Sequence, residues 1–172
     1  MRRFRPVHTT ALAVLFAMSI CAPAMAQDDN SQSSSSTLEG VWQVDVTILT
    51  ACGGGPSGRH VPVFLTFTRD GKVIEASGTP LTENPAVQRM NPGLGNWQHQ
   101  KGEQFSAVYW FFRITPGSTP PNLPAGSDEI TEVIELSQDA DSFTSNGTAD
   151  VYDASGNFLL RGCHTLTGTR LE

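Results

Sequence analysis

From Leu38 onward, apolar residues recur at every second position in run after run, and no segment sustains a helical period across three turns. That pattern commits the chain to strands. It is clearest in LEGVWQVDVTILTAC (38–52), where Trp42, Val44, Val46 and Ile48 share one face and Gln43, Asp45 and Thr47 the other. Seven further runs follow, at 61–68, 73–76, 95–100, 104–115, 129–137, 142–152 and 157–171, separated by clusters of Gly, Pro, Asn and Asp. Asp70-Gly71 marks a tight hairpin between the second and third. About eight strands, each joined to the next by a turn, predict an all-β fold: a closed antiparallel up-and-down barrel, since closure removes exposed edges.

The residues before Leu38 follow other rules. MRRFRPVHTTALAVLFAMSICAPAMA has a basic start, an apolar centre from Ala11 to Ile20, and Ala24-Met25-Ala26 ahead of Gln27. This is the layout of a secretory signal peptide over residues 1–26, and its apolar run is too short to span a bilayer. QDDNSQSSSST (27–37) has nothing apolar to bury and reads as a disordered polar linker, leaving 38–172 as one barrel domain. The predicted location is secreted or periplasmic. Cleavage would remove three arginines and no acid from 11 basic and 17 acidic residues, leaving 8 against 17 and a net charge of −9. So acidic a chain is repelled by polyphosphate, which excludes nucleic acid as a general partner.

Cleavage would also remove Cys21, leaving Cys52 and Cys163. An even pair in an oxidising compartment predicts a disulfide. Closing so long a loop stabilises by roughly 4–5 kcal/mol in the chain-entropy account. The pair also bears on closure. Facing residues of an antiparallel pair have numbers that sum to a constant; Cys52 with Cys163 gives 215, and Trp42 with Arg170 gives 212. One register therefore brings the first and last strands together within a few residues, with the disulfide at one end and Trp42 beside Arg170 at the other.

Gly40-Val41-Trp42 at the head of the first strand, the eight-strand meander and an arginine near the end of the last resemble the calycin group. That group includes lipocalins, fatty-acid-binding proteins and avidins. In lipocalins a Gly-x-Trp opens the first strand and packs under an arginine from the last. The resemblance implies those structural roles for Trp42 and Arg170, and a lipocalin-like barrel of the small exported bacterial kind. It also implies that the barrel holds a small apolar molecule, without saying which.

Small barrels of this strand number can enclose one ligand, and pockets are mostly apolar with a few convergent polar groups. The inward positions that would line such a pocket are Phe67, Trp97, Tyr109, Phe111, Leu160 and His164, with Tyr109 and His164 as the polar contacts. The competing arrangement is an interior filled by side chains, with a hydrogen-bonded histidine. Residues 77–94, the longest irregular stretch, are a lid candidate, and the proline-rich 116–128 reads as a stiff connection. Glu132 shares a face with Ile130, Ile134 and Leu136, an odd place for a charge; a strand end or bulge is expected to turn it outward. Asn146-Gly147-Thr148 reads as either a glycosylation acceptor or a strand irregularity.

No catalytic residue can be named. There is no Gly-x-Ser-x-Gly elbow, and no free cysteine remains once the disulfide forms. His60, His99 and His164 are too scattered for a metal site, and no cofactor motif is present. The leading expectation is a barrel that binds a small apolar molecule. The second is a small-barrel isomerase or cyclase in which a Tyr or His acts on such a ligand. The third is an interaction protein that forms a homodimer through the aromatic outer face of 104–115.

Overall fold

The computed structural model describes residues 37–77, 82–84, 87–120 and 122–172. The expected leader at 1–26 and all of the expected linker but Thr37 lie outside these residues. Among the described residues, ten strands form one antiparallel sheet: β1 (Gly40–Leu49), β2 (Pro56–Phe67), β3 (Lys72–Ser77), β4 (Thr82–Asn84), β5 (Val87–Arg89), β6 (Gly93–Lys101), β7 (Gln104–Thr115), β8 (Leu123–Leu136), β9 (Ser142–Tyr152) and β10 (Phe158–Arg170). Eight of them close a ring of hydrogen-bonded neighbours, β1-β2-β3-β6-β7-β8-β9-β10 and back to β1. Short β5 lies in line with β6 on the same edge of β7, and β4 pairs with β5.

The predicted eight runs are the eight ring strands, with one correction to a stretch between them and two to where they begin. The lid candidate is not wholly irregular: β4 and β5 fall inside it, while 78–81 and 85–86 lie outside the described residues. The second strand begins at Pro56, because its polar first half pairs with β1 across a bulge between Thr47 and Leu49. The sixth begins at Leu123, since β7 and β8 continue their ladder through Pro124, with a register shift between Arg113 and Ile114. Much of the proline-rich connection is therefore strand.

Closure has the expected register. Trp42 faces Arg170, and the pairing runs without a shift to Ile48 facing His164. Cys52 and Cys163 are bonded with Cα atoms 5.0 Å apart. Cys52 lies beyond β1 in a turn where Thr50 N–H donates to Gly55 and Gly54 N–H to Ala51. That turn folds the cysteine back and absorbs the three-residue difference between the two sums.

Alternation then fills the ring. On β7, Phe105, Ala107, Tyr109 and Phe111 are buried, whereas Phe112 is 76 % exposed. The end that holds Trp42 is packed solid. Trp42 meets Phe143 edge-on at 5.0 Å, and Phe67 meets Phe143 and Trp97. Trp42 Nε1 donates to the Leu38 carbonyl at 3.0 Å. The Arg170 guanidinium lies 4.3 Å from the Trp42 ring centre and donates to the carbonyls of Ala140, Thr37 and Glu39. Gly40 opens β1 at φ 134°, and a Cβ there would stand 2.7 Å from Arg170 Nη1. Glycine at 40 is thus what lets the arginine close over the tryptophan.

Candidate functional site

Toward the disulfide end, the side chains no longer fill the ring. They leave a cavity of about 160 Å³. Its apolar walls come from β1, β2, β8, β9 and β10, among them Val46, Val61, Val63, Ile130, Ala149 and Leu166. Its polar groups are Glu75, Tyr109, His164 and Arg89, and Arg59 and Leu160 stand at an exposed rim.

Each polar group is placed by strand alternation. On β3, Val73 and Glu75 point inward and Ile74 outward, so the carboxyl of Glu75 is carried into the core with an exposure of only 4 %. Tyr109 is the third inward residue of β7, and Glu132 sits between inward Ile130 and Ile134 on β8. Glu132 is wholly buried, and β8 runs through it without a bulge against either neighbour. The expected outward turn does not occur. Three partners make the inward position tenable. Ser145 Oγ donates to Oε2 at 2.6 Å, His164 Nε2 lies 2.6 Å from Oε1, and Tyr109 Oη donates to Oε1 at 3.3 Å. A carboxylate buried without such partners would cost several kcal/mol.

Gly147 provides the room. It faces inward on β9 between Glu132 of β8 and His164 of β10. A Cβ there would come within 2.2 Å of His164 Nε2 and 2.5 Å of Glu132 Oε2. The strand is regular at this point, which answers one of the two sequence readings of Asn-Gly: the glycine is a gap for the buried Glu132–His164 contact, not an irregularity.

Glu75 has a different environment. Burial pushes its carboxyl up from the ordinary glutamate value to about 6, against a hydrogen bond from Tyr109 and the attraction of Arg89. Burial, followed by the nearby charges of Glu75 and Glu132, drives the Tyr109 hydroxyl well above its ordinary range, so it stays protonated and donates. A second ionic group lies alongside. Asp128, wholly buried on β8, accepts from Arg89 Nε and lies 3.3 Å from Arg113 Nε. The Arg89 guanidinium also lies over the Phe111 ring at 5.3 Å.

The structure divides the sequence-predicted site residues. Tyr109, Leu160 and His164 line the cavity, although Leu160 is 55 % exposed and forms rim rather than wall. Phe67 and Trp97 lie in the packed end, joined edge-on at 6.0 Å, with Trp97 Nε1 donating to the Thr68 carbonyl. Phe111 sits behind the wall, against Tyr109 and beneath Arg89. Glu75, Arg89, Asp128 and Arg113 were not anticipated. Of these, Glu75 stands in the short predicted strand 73–76, too short for the sequence to say which face is inward. The other two histidines are elsewhere: His60 pairs with exposed Asp45 at 2.8 Å, and His99 bonds the Gly102 carbonyl. Among the described residues, no group of three His, Cys, Asp or Glu is placed to hold a metal ion.

No protein-family model matches the chain, and no curated protein is found to be related to it. The functional reading therefore stands on the cavity and its walls.

Proposed function

We propose that the protein binds, in the manner of a lipocalin-like barrel, a small molecule with an apolar body and one polar group. The observation that supports this reading is the cavity of about 160 Å³, apolar on most sides, with Glu75, Tyr109 and His164 in its wall. Apolar cavities of roughly 150 Å³ accept a benzene ring, so the space suits a ring-sized ligand or one end of a longer one. The polar groups would fix its orientation, as few but convergent groups do in small-molecule sites. The Cys52–Cys163 bond accords with an exported protein in an oxidising compartment. Native mass spectrometry of the protein recovered from its host tests the reading. A stoichiometric small molecule that extracts into organic solvent is expected; a ligand-free protein that takes up no ring-sized compound contradicts it.

One observation favours a second reading, acid–base isomerisation or cyclisation of such a ligand. A carboxyl that titrates near 6 stands beside a protonated tyrosine at the same cavity, and groups poised near neutrality suit proton transfer. Conversion of the extracted compound by the wild-type protein but not by Glu75→Gln would establish it; recovery of the compound unchanged would dismiss it.

A further inference from the structure

We propose that the cavity takes an uncharged hydroxyl group on an aromatic ring, a phenol, whose hydrogen is donated to Nδ1 of His164. The inference rests on the reading of the cavity as a ligand site and adds the atom that receives the ligand's polar end.

His164 meets the cavity in one fixed orientation. It occupies an inward position of β10, between Gly147 of β9 and Ile48 of β1, and is 6 % exposed. One edge of its ring is spent on β8, where Nε2 stands 2.6 Å from Glu132 Oε1. The other edge is not spent. Among the described residues Nδ1 has no hydrogen-bond partner, and neighbouring atoms do not seal it off. Because the side chain points into the ring of strands and forms part of the cavity wall, that open nitrogen faces the cavity. Buried polar atoms are paired as a rule, so an unpaired one at a cavity is where a ligand's polar group belongs.

The contact with Glu132 decides what Nδ1 can do. Glu132 Oε2 accepts from Ser145 Oγ, and Oε1 accepts from Tyr109 Oη. A carboxylate that gathers hydrogen bonds in this way holds the imidazole proton on the nitrogen facing it, since the partner of one nitrogen sets the tautomer. With the proton on Nε2, Nδ1 of the neutral ring keeps its lone pair and accepts. The ligand therefore supplies the hydrogen.

The surrounding charges favour a ligand that carries none. Arg59 and Arg89 bring guanidinium groups to the same wall and oppose an ammonium ion. Glu75 in the wall and Glu132 against His164 bring carboxyl groups and oppose a carboxylate. A hydroxyl meets neither opposition, and its oxygen can still accept from a guanidinium N–H while it donates to Nδ1. The apolar remainder of the wall and the volume of about 160 Å³ suit a single aromatic ring.

Phenol and toluene, which are nearly isosteric, test this. Each is titrated calorimetrically into the full protein at pH 8, and the imidazole nitrogens of ¹⁵N-labelled protein are followed by NMR in parallel. The free protein is expected to carry its His164 hydrogen on Nε2, with Nδ1 bare. Phenol is more strongly hydrated than toluene, so a purely apolar cavity would prefer toluene. Here phenol is expected to bind at least as tightly and to move the Nδ1 resonance, which toluene leaves in place. His164→Gln removes Nδ1 and should lower the ratio of phenol to toluene affinity about tenfold. The wild-type resonances need no variant, so the test holds even if His164→Gln folds poorly. A hydrogen on Nδ1 in the free protein, tighter binding of toluene than of phenol, phenol binding that leaves Nδ1 unmoved, or a ratio unchanged in His164→Gln overturns the proposal. If toluene binds and phenol does not, the cavity reading survives and this inference falls; if neither binds, both fall.

Discussion

Two glutamates lie on either side of Tyr109, and their partners give them different work. Glu132 is held by hydrogen-bond contacts with Ser145, His164 and Tyr109, whereas Glu75 is a buried carboxyl that its burial pushes up to about 6. Because the folded-state value of Glu75 is raised, the folded protein holds this proton more tightly than the unfolded chain does. Its favourable contribution is complete below about pH 4.5 and is lost as pH rises through about 6. Glu75→Gln removes that dependence. Urea unfolding should show the variant about as stable as wild type at pH 4 and more stable by up to ~2 kcal/mol at pH 8. The Gly147→Ala substitution tests the Glu132–His164 contact from the other side. Its methyl group would enter the space of His164 Nε2 and Glu132 Oε2, so a loss of about 1–3 kcal/mol is expected in the same assay. Tyr109 and His164 were legible in the sequence because each lies in phase with an unbroken apolar face. Glu75 was hidden because the 73–76 run is too short to establish a phase. Glu132 was legible as an anomaly, but its three partners come from β7, β9 and β10, and no local pattern announces them.

At the scale of the strand, β7 carries the sharpest contrast in the molecule. Phe111 packs inside against Tyr109 and under Arg89, and the next residue, Phe112, stands in solvent. Thermal unfolding should separate the two neighbours: Phe111→Ala should cost about 3–5 kcal/mol, and Phe112→Ala should stay within about 0.5 kcal/mol of wild type. Strand cores were legible because inward and outward positions differ in polarity. Strand ends were not. Residues 56–60 and 123–128 are rich in Gly, Pro and polar side chains, and nothing in their composition favours a strand. They extend because β1 and β7 offer unpaired backbone groups beside them, and a ladder can satisfy those groups without regard to side chains. The same cause places β5 against β7, where Gln88 and Arg89 continue the edge that β6 leaves free. Arg89 thereby reaches the cavity from a stretch that looked like loop.

The whole molecule joins two ends of different character. Arg170 over Trp42 seals one end, and the disulfide joins the first turn to the last strand near the open end. The ring and its register were legible because a pair of cysteines and a pair of end residues independently point to the same strand pairing. The cavity was not, since its existence depends on how completely inward side chains meet across the ring. A Cys52→Ser, Cys163→Ser double variant should keep the fold at room temperature and lose about 2–5 kcal/mol of stability by denaturant unfolding. The central claim, that the unfilled half of the ring receives a small molecule, is tested most directly by titrating toluene into ¹⁵N,¹³C-labelled protein. The account predicts saturable shifts confined to the cavity wall, at Val46, Val61, Ile130 and Leu166, with Phe67 and Trp97 in the packed end unmoved. No saturable shift at those wall residues, or shifts centred on the outer face at Trp110 and Phe112, would contradict it.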